Sequence, residues 1–359
     1  MIPISTPSLG EEELSNVTDA VSSGWISSQG KFIPEFEDMF AQYCGTRYGI
    51  ATSSGTTALH LALVALGIGP GDEVIVPTLT FIATANAVTY TGAKPVFVDS
   101  TSDYWGIDPE KIEDAITLRT KAIIPVHLYG HPCDMDAILG IAGIYSLHVI
   151  EDCAEAHGAE YKDRKVGSFG DISCFSYFAN KMITTGEGGM CLTNNTKLFN
   201  KMRILRDHGM SPQRRYWHDV VGFNYRMTNM QAAIGVAQMA KLDGFIEKKR
   251  QIAKWYAERL DGVSGIVLPN EMPWAKNVYW LYTILVEGRD ELMEYLKSEG
   301  IDSRPAFYPI NMMPPYLTEE SFPEAERISR LGISLPSGVN LTNGEVSRVS
   351  SAVLKWMAQ

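Results

Sequence analysis

FSYFANKMITTGEGGM, residues 175–190, sets one lysine, Lys181, between an apolar run (Cys174–Phe178) and a turn rich in threonine and glycine (Thr184–Gly189). An amine on the edge of an apolar pocket loses solvation. Its charged form is disfavoured, its pKa falls, and it becomes a usable nucleophile. A Schiff-base lysine needs that property. Taken alone, the same lysine reads more plainly as a surface residue beside a glycine turn, so the stretch gains its meaning from what lies around it.

Apolar runs precede and follow it, at Glu73–Val76, Pro95–Val98, Ala122–Val126, Val149–Ile150, Ser173–Ser176 and Met190–Thr193. Helical spacing separates several of them, at Ile82–Thr89, Pro109–Ala115 and Met135–Ile141. This alternation predicts an α/β fold with a mostly parallel sheet. In such sheets ligands gather beyond the carboxyl ends of the strands. Phe81, Asp152, Glu155, Ser176 and Lys181 all fall there.

Further out, residues 1–50 read as an extended arm and two amphipathic helices, Glu11–Ser22 and Phe32–Tyr43, joined by the turn-rich GWISSQG. SSGTTA then opens an apolar helix that stops near Gly67, with Ser54 as its N-cap. Free N–H groups and the helix dipole there form a phosphate cradle from Gly55, Thr56 and Thr57, although any capped helix looks alike. Beyond a polar, aromatic connection (Arg203–Met230), Gln231–Leu260 reads as one or two long helices. A smaller C-terminal unit follows. It has strand-like runs at Gly265–Leu268 and Val278–Val286, and helices near Glu291–Glu299, Glu324–Leu331 and from Asn343. The expected division is 1–240, with the N-terminal arm, and 241–359. In Ser303–Tyr316, Arg304, Tyr308 and Asn311 either reach a site or belong to a packed cover.

The chain has 359 residues, a net charge of −11 and no run rich in lysine or arginine. That argues against nucleic-acid binding, which calls for a basic patch, and leaves an anionic substrate to locally placed donors. Five scattered cysteines without a CxxC pair predict a reduced, cytoplasmic protein. The first residues lack the features of a signal peptide, and no apolar stretch is long enough to span a membrane. HLYGHPCDMD (127–136) holds two histidines, a cysteine and two aspartates. Its spacing matches no zinc motif, so it is expected to be a structural loop, with no metal in the protein.

Together the parts describe a site for pyridoxal phosphate (PLP). Lys181 supplies the amine. Asp152, in VIEDCAEAHGA, is placed to keep a pyridine nitrogen protonated, because opposite charge favours the protonated form. Phe81 offers a stacking face, and Ser176 a hydroxyl for the phosphate. An ordinary turn aspartate and a core phenylalanine would explain two of these singly, but not all four in order along the chain.

SSGTTALHLAL, PTLTFIATANA, VIEDCAEAHGA, FSYFANKMITTGEGGM, LRDHGM and GFNYRMTNMQAA resemble the fold-type I, PLP-dependent sugar-nucleotide aminotransferases of the DegT/StrS type, from Ile2 to about Tyr316. The resemblance implies a seven-stranded sheet flanked by helices and a smaller α+β domain. It implies that Lys181 carries PLP, Asp152 pairs with the pyridine nitrogen, Phe81 stacks on the ring, and Gly55, Thr56 and Ser176 bind the phosphate. Glu155 lies near the phenolic oxygen, where many members have glutamine. A carboxylate there repels that oxygen unless one of the two carries a proton. Asn224 reaches the phosphate of a neighbouring subunit, so a homodimer, or a dimer of dimers, is expected. Trp25, Arg304, Tyr308 and Asn311 are the substrate-side candidates. The closer likeness is to the subgroup that aminates GDP-4-keto-6-deoxymannose with L-glutamate, for polysaccharide such as O-antigen. Asn311 stands where the family motif often has histidine, which puts the exact substrate in question. A sugar dehydratase on this fold has histidine at the lysine position, and Lys181 argues against it. A non-enzymatic scaffold would have little need for Lys181 and Asp152 together.

Overall fold

Val74, Ile75 and Val76 are fully buried in a strand that has helices on both sides of it. The computed structural model describes residues 1–358. Two helices, α1 (Glu11–Ser23) and α2 (Phe32–Cys44), lead into β1 (Tyr48–Thr52), α3 (Gly55–Leu66), β2 (Glu73–Pro77), α4 (Ala83–Tyr90), β3 (Lys94–Val98), β4 (Thr120–Ile123), α5 (Met135–Tyr145) and β5 (His148–Asp152). A small hairpin, β6 (Glu160–Tyr161) and β7 (Arg164–Lys165), precedes β8 (Ile172–Ser176) and β9 (Gly189–Thr193). The seven-stranded sheet runs β1-β9-β8-β5-β4-β2-β3. Its strands are parallel from β8 through β3, and β9 is antiparallel to both of its neighbours. Asp152 ends β5 and Ser176 ends β8, so both stand at the carboxyl edge.

After β9 come α6 (Thr196–Arg206), α7 (Asn229–Met239) and α8 (Leu242–Leu260), then β10 (Ile266–Val267), β11 (Ala275–Lys276), β12 (Tyr282–Val286), α9 (Arg289–Ser298), β13 (Arg304–Pro305), α10 (Pro323–Leu331), β14 (Gly332–Leu335) and α11 (Asn343–Met357). The second sheet is β10-β12-β14-β13. α8 bridges the two cores: Leu242 and Ile246 pack in the first, and Ile252, Tyr256 and Leu260 in the second. The N-terminal arm docks on the second, where the Ile2 N–H donates to the Gly300 carbonyl at 2.8 Å. Among the described residues no helix is long and apolar enough to cross a membrane.

Several elements differ from the sequence reading. Pro109–Ala115 forms two short 3-10 turns, not a helix, and the Asp108 side chain caps the first of them. The run expected as a strand from Val278 joins the sheet only at Tyr282, and its first residues form a loop carrying Trp280. β1 and β14 had no apolar signature strong enough to be noticed. The His127–Asp136 stretch is largely a buried, hydrogen-bonded loop. Glu151 accepts from the N–H groups of Gly167, Phe169 and Gly170, and the His127 ring lies 3.3 Å from it. His127 Nδ1 in turn accepts from the Cys133 N–H at 3.0 Å. His127, Glu151 and Cys153 do lie close together, but the His127 and Glu151 atoms already serve the loop. All five cysteines are free and buried.

Candidate active site

The first turn of α3 faces the carboxyl edge of the large sheet. The Ser54 hydroxyl accepts from the Thr57 N–H, and the Thr57 hydroxyl closes a reciprocal cap. Thr57 is therefore spent on the helix itself and leaves the cradle expected for it. Gly55 and Thr56 remain, with N–H groups that find no acceptor among the described residues. These are the unsatisfied donors that an anion at a helix N-terminus takes up. Ser176 comes within reach because Gly55 has no side chain. A Cβ on Gly55 would stand 2.7 Å from the Ser176 Cβ.

These groups line a cavity of about 340 Å³, together with Phe81, Asp152, Glu155, Lys181 and Arg304. That volume suits a small organic ligand. Phe81 is 57% exposed at the mouth, a bare aromatic face. Asp152 is buried. Its carboxylate accepts from the Thr84 hydroxyl at 2.8 Å and from the Ala154 N–H at 3.1 Å. Burial pushes its pKa up, while Thr84, Ala154 and Lys181 pull it down. A cation beside it would strengthen that pull.

Lys181 lies in the loop after β8, its side chain 12% exposed, with Nζ 3.7 Å from Glu155. Burial lowers its pKa, and the two nearby carboxylates oppose the shift. The loss of solvation inferred from the apolar run is thus the largest influence on this amine. Glu155 accepts from the Tyr129 N–H at 2.8 Å. Burial pushes its carboxyl up to about 7, with Lys181 pulling the other way. The proton needed to relieve repulsion of a phenolic oxygen is therefore available near neutrality.

Four candidates lie elsewhere. Asn311 is buried, and its side-chain oxygen accepts from the Thr78 hydroxyl at 2.6 Å while its amide donates to the Glu320 carbonyl. It knits the cover loop to the end of β2 and does not line the cavity. Tyr308 is exposed outside the cavity. Trp25 lines a separate depression with Lys31, Phe32 and Asn229. Asn224 is exposed and does not enter the cavity of its own subunit.

The sequence reading missed Thr84, Phe307 and Trp280, which also line the cavity. Thr84 had a signal, since PTLTFIATANA starts at the carboxyl end of β2. Trp280 was read as part of a strand.

The residues present fit PLP: two free N–H groups and a hydroxyl for the phosphate, an open aromatic face, a buried carboxylate and a desolvated lysine. Gly55→Ala should therefore weaken PLP binding by about 10- to 100-fold, the usual cost of forcing extra volume into a packed site. Titration of the cofactor-free protein, followed by visible absorbance, measures it. Unchanged affinity would place the phosphate elsewhere.

A profile of the DegT/DnrJ/EryC1/StrS aminotransferase family matches residues 7–354. The chain is 50% identical over 360 residues to the GDP-perosamine synthase of Caulobacter vibrioides, covering 98% of this chain and 97% of that one. To the GDP-perosamine synthase of Escherichia coli O157:H7 it is 48% identical over 356 residues, covering 98% and 97%. Among solved structures, Streptomyces venezuelae DesV in complex with a ketimine intermediate aligns with a TM-score of 0.93 at 40% identity, covering 97% of this chain and 95% of DesV.

Proposed function

We propose that this chain, which belongs to the DegT/DnrJ/EryC1/StrS aminotransferase family, moves the amino group of L-glutamate to C4 of GDP-4-keto-6-deoxy-D-mannose and so makes GDP-perosamine. It is a PLP-dependent sugar transaminase. The choice of sugar, nucleotide and donor is our reading, supported by the names of the two relatives at 50% and 48% identity. Its use in polysaccharide such as O-antigen, in the cytoplasm, goes with that reading. The observation that carries the chemistry is the meeting, in one cavity, of the Lys181 amine, the buried Asp152 carboxylate and the free first turn of α3.

When bound, PLP supplies an electrophilic aldehyde and an electron-accepting ring. Gly55 and Thr56 would bind the phosphate through their N–H groups, with the Ser176 hydroxyl beside them. Phe81 would orient the ring, and the Asp152 carboxylate would favour a proton on the ring nitrogen. Lys181 Nζ, when free, would take up and return a proton as a general acid/base. Arg304, from the second unit when the chain is divided at 240/241, is positioned as a cation for the donor carboxylate or the sugar diphosphate.

A homodimer completes this reading. Asn224 is exposed and outside its own cavity, as a residue serving a neighbour must be. Leu14, Val21, Trp25 and Ile26 expose apolar surface along α1 and the turn after it, which a second copy would bury. Light scattering should give at least twice the chain mass.

Glu155 supplies a pH test. Its carboxyl is neutral below about 7 and charged above it, so it repels an anionic phenolic oxygen only on the alkaline side. Between pH 6 and pH 8 the PLP affinity of the wild type should fall about 3- to 10-fold relative to Glu155→Gln. Parallel titration curves would remove Glu155 from the cofactor.

The deciding assay incubates the PLP-loaded protein with L-glutamate and a set of nucleotide-linked keto sugars, and measures 2-oxoglutarate and the sugar product. The expected result is a 4-amino sugar and 2-oxoglutarate in equal amounts with GDP-4-keto-6-deoxymannose. Preference for another keto sugar would overturn the substrate and leave the transaminase. A deoxygenated sugar formed without glutamate consumption would show dehydratase chemistry instead.

A further inference from the structure

The amine of Lys181 does not hang free in the cavity. It lies 3.8 Å from the ring centroid of Trp280, over the indole face. Trp280 is held at three points, two on its indole and one on its backbone. Its Nε1–H donates to the carbonyl of Asn180, the residue before the lysine, at 2.7 Å. Its plane is stacked against Tyr129, centroid to centroid 6.4 Å. Its backbone carbonyl accepts at 2.7 Å from Nζ of Lys249, a buried lysine on α8. Lys249 has no ion pair among the described residues. A lysine buried without an acid is costly, and burial pushes this one down to about 7. An apolar residue would fill its place more cheaply. Its amine reaches the Trp280 carbonyl itself, one of the anchors of this loop, beside the Val278 N–H bonded to the Gly130 carbonyl.

We propose that Trp280 is the resting face of the Lys181 amine whenever that amine is not bonded to the cofactor, and that Lys249 is a positioning residue that holds this face in place. The proposal rests on the transaminase reading, because only there must a lysine be repeatedly released and recaptured. A released amine free to rotate would lose its geometry for proton transfer. Over the indole it stays within 3.7 Å of Glu155. The quadrupole of the ring favours the ammonium form and partly offsets the desolvation that lowers the pKa. The other charged or titratable groups facing the amine are Asp152, Glu155 and His157 from the segment at and after β5, and Glu187 and Arg304 on the cavity wall.

The test is competitive acetylation of Lys181 in the full-length, cofactor-free protein across pH 6 to 11, read by peptide mass spectrometry, since only the unprotonated amine reacts. In Trp280→Leu the midpoint should fall by about half to one pH unit, the size of a partly desolvated cation–π contact. Trp280→Phe keeps a weaker face and should fall in between. In Lys249→Met, which leaves the indole but frees its backbone, the midpoint should also move down, by less than in Trp280→Leu. An unchanged midpoint in folded Trp280→Leu overturns the proposal. If that variant does not fold, a midpoint in Trp280→Phe at or above wild type does so instead. The measurement uses no amino donor and no keto sugar. A negative outcome therefore leaves the transaminase standing, and an inactive turnover assay leaves this titration unaffected.

Discussion

Lys181→Ala should lower amino transfer by at least about a thousandfold, because it removes both the covalent attachment point and the acid/base, each worth orders of magnitude by itself. Among the described residues no second lysine lines the cavity. Lys249 is buried with its Nζ engaged by the Trp280 carbonyl and does not line the cavity. The wild type with PLP should show a visible band that borohydride abolishes, and digestion should place the reduced adduct on the peptide containing residue 181. The variant should bind PLP without forming that adduct, because Gly55, Thr56, Ser176 and Phe81 are untouched. An adduct on another lysine, or turnover within tenfold of wild type, would remove Lys181 from the chemistry. Added methylamine should restore part of the lost proton transfer, since the cavity has room once the side chain is gone.

The parts of this site that were legible in the sequence carry their chemistry in their type and position. Lys181, Asp152 and Ser176 follow runs apolar enough to be buried strands, and Gly55 follows a clear N-cap. Those strands read well because β2, β4, β5 and β8 are buried on both faces, as parallel strands between helices are. The first strand, YGIAT, has one large aliphatic residue, Ile50, and so carries no apolar run. The last strand of the second sheet, GISL, follows a helix with no break. Asn311 shows what a motif leaves open. The motif position gives a residue type but not the way its side chain faces, and two hydrogen bonds turn this one inward. Trp280 and Lys249 were illegible for a further reason. NVYWLYTILV reads as one strand throughout, and Lys249 sits in KKRQ, a run that looks like the solvated side of a helix. Only tertiary packing makes one an aromatic floor and the other a buried amine.

Asp152→Asn should leave PLP bound and lower turnover by about 100- to 1000-fold, the range seen when a preorganised electrostatic partner is removed. The substitution keeps shape and burial. The asparagine oxygen can still accept from the Ala154 N–H, and the Thr84 hydroxyl can rotate to accept from the new amide. What disappears is the negative charge. In wild type that charge is maintained against burial by the Thr84 hydroxyl, the Ala154 N–H and the Lys181 ammonium. A cofactor ring proton would add a further favourable neighbour, so an ionised Asp152 and a protonated ring nitrogen would stabilise each other. Thr84→Val tests the same link from the other side. It removes one donor, leaves the charge and should cost about tenfold, the value of one hydrogen bond to a charged group. The ordering matters more than either figure: Asp152→Asn must be the more damaging. If Thr84→Val were equally harmful, the aspartate would be acting through local structure. If Asp152→Asn retained near-normal turnover, the ring nitrogen would have to be stabilised by some other group, and Glu155, the other carboxylate lining the cavity after β5, would be the one to test.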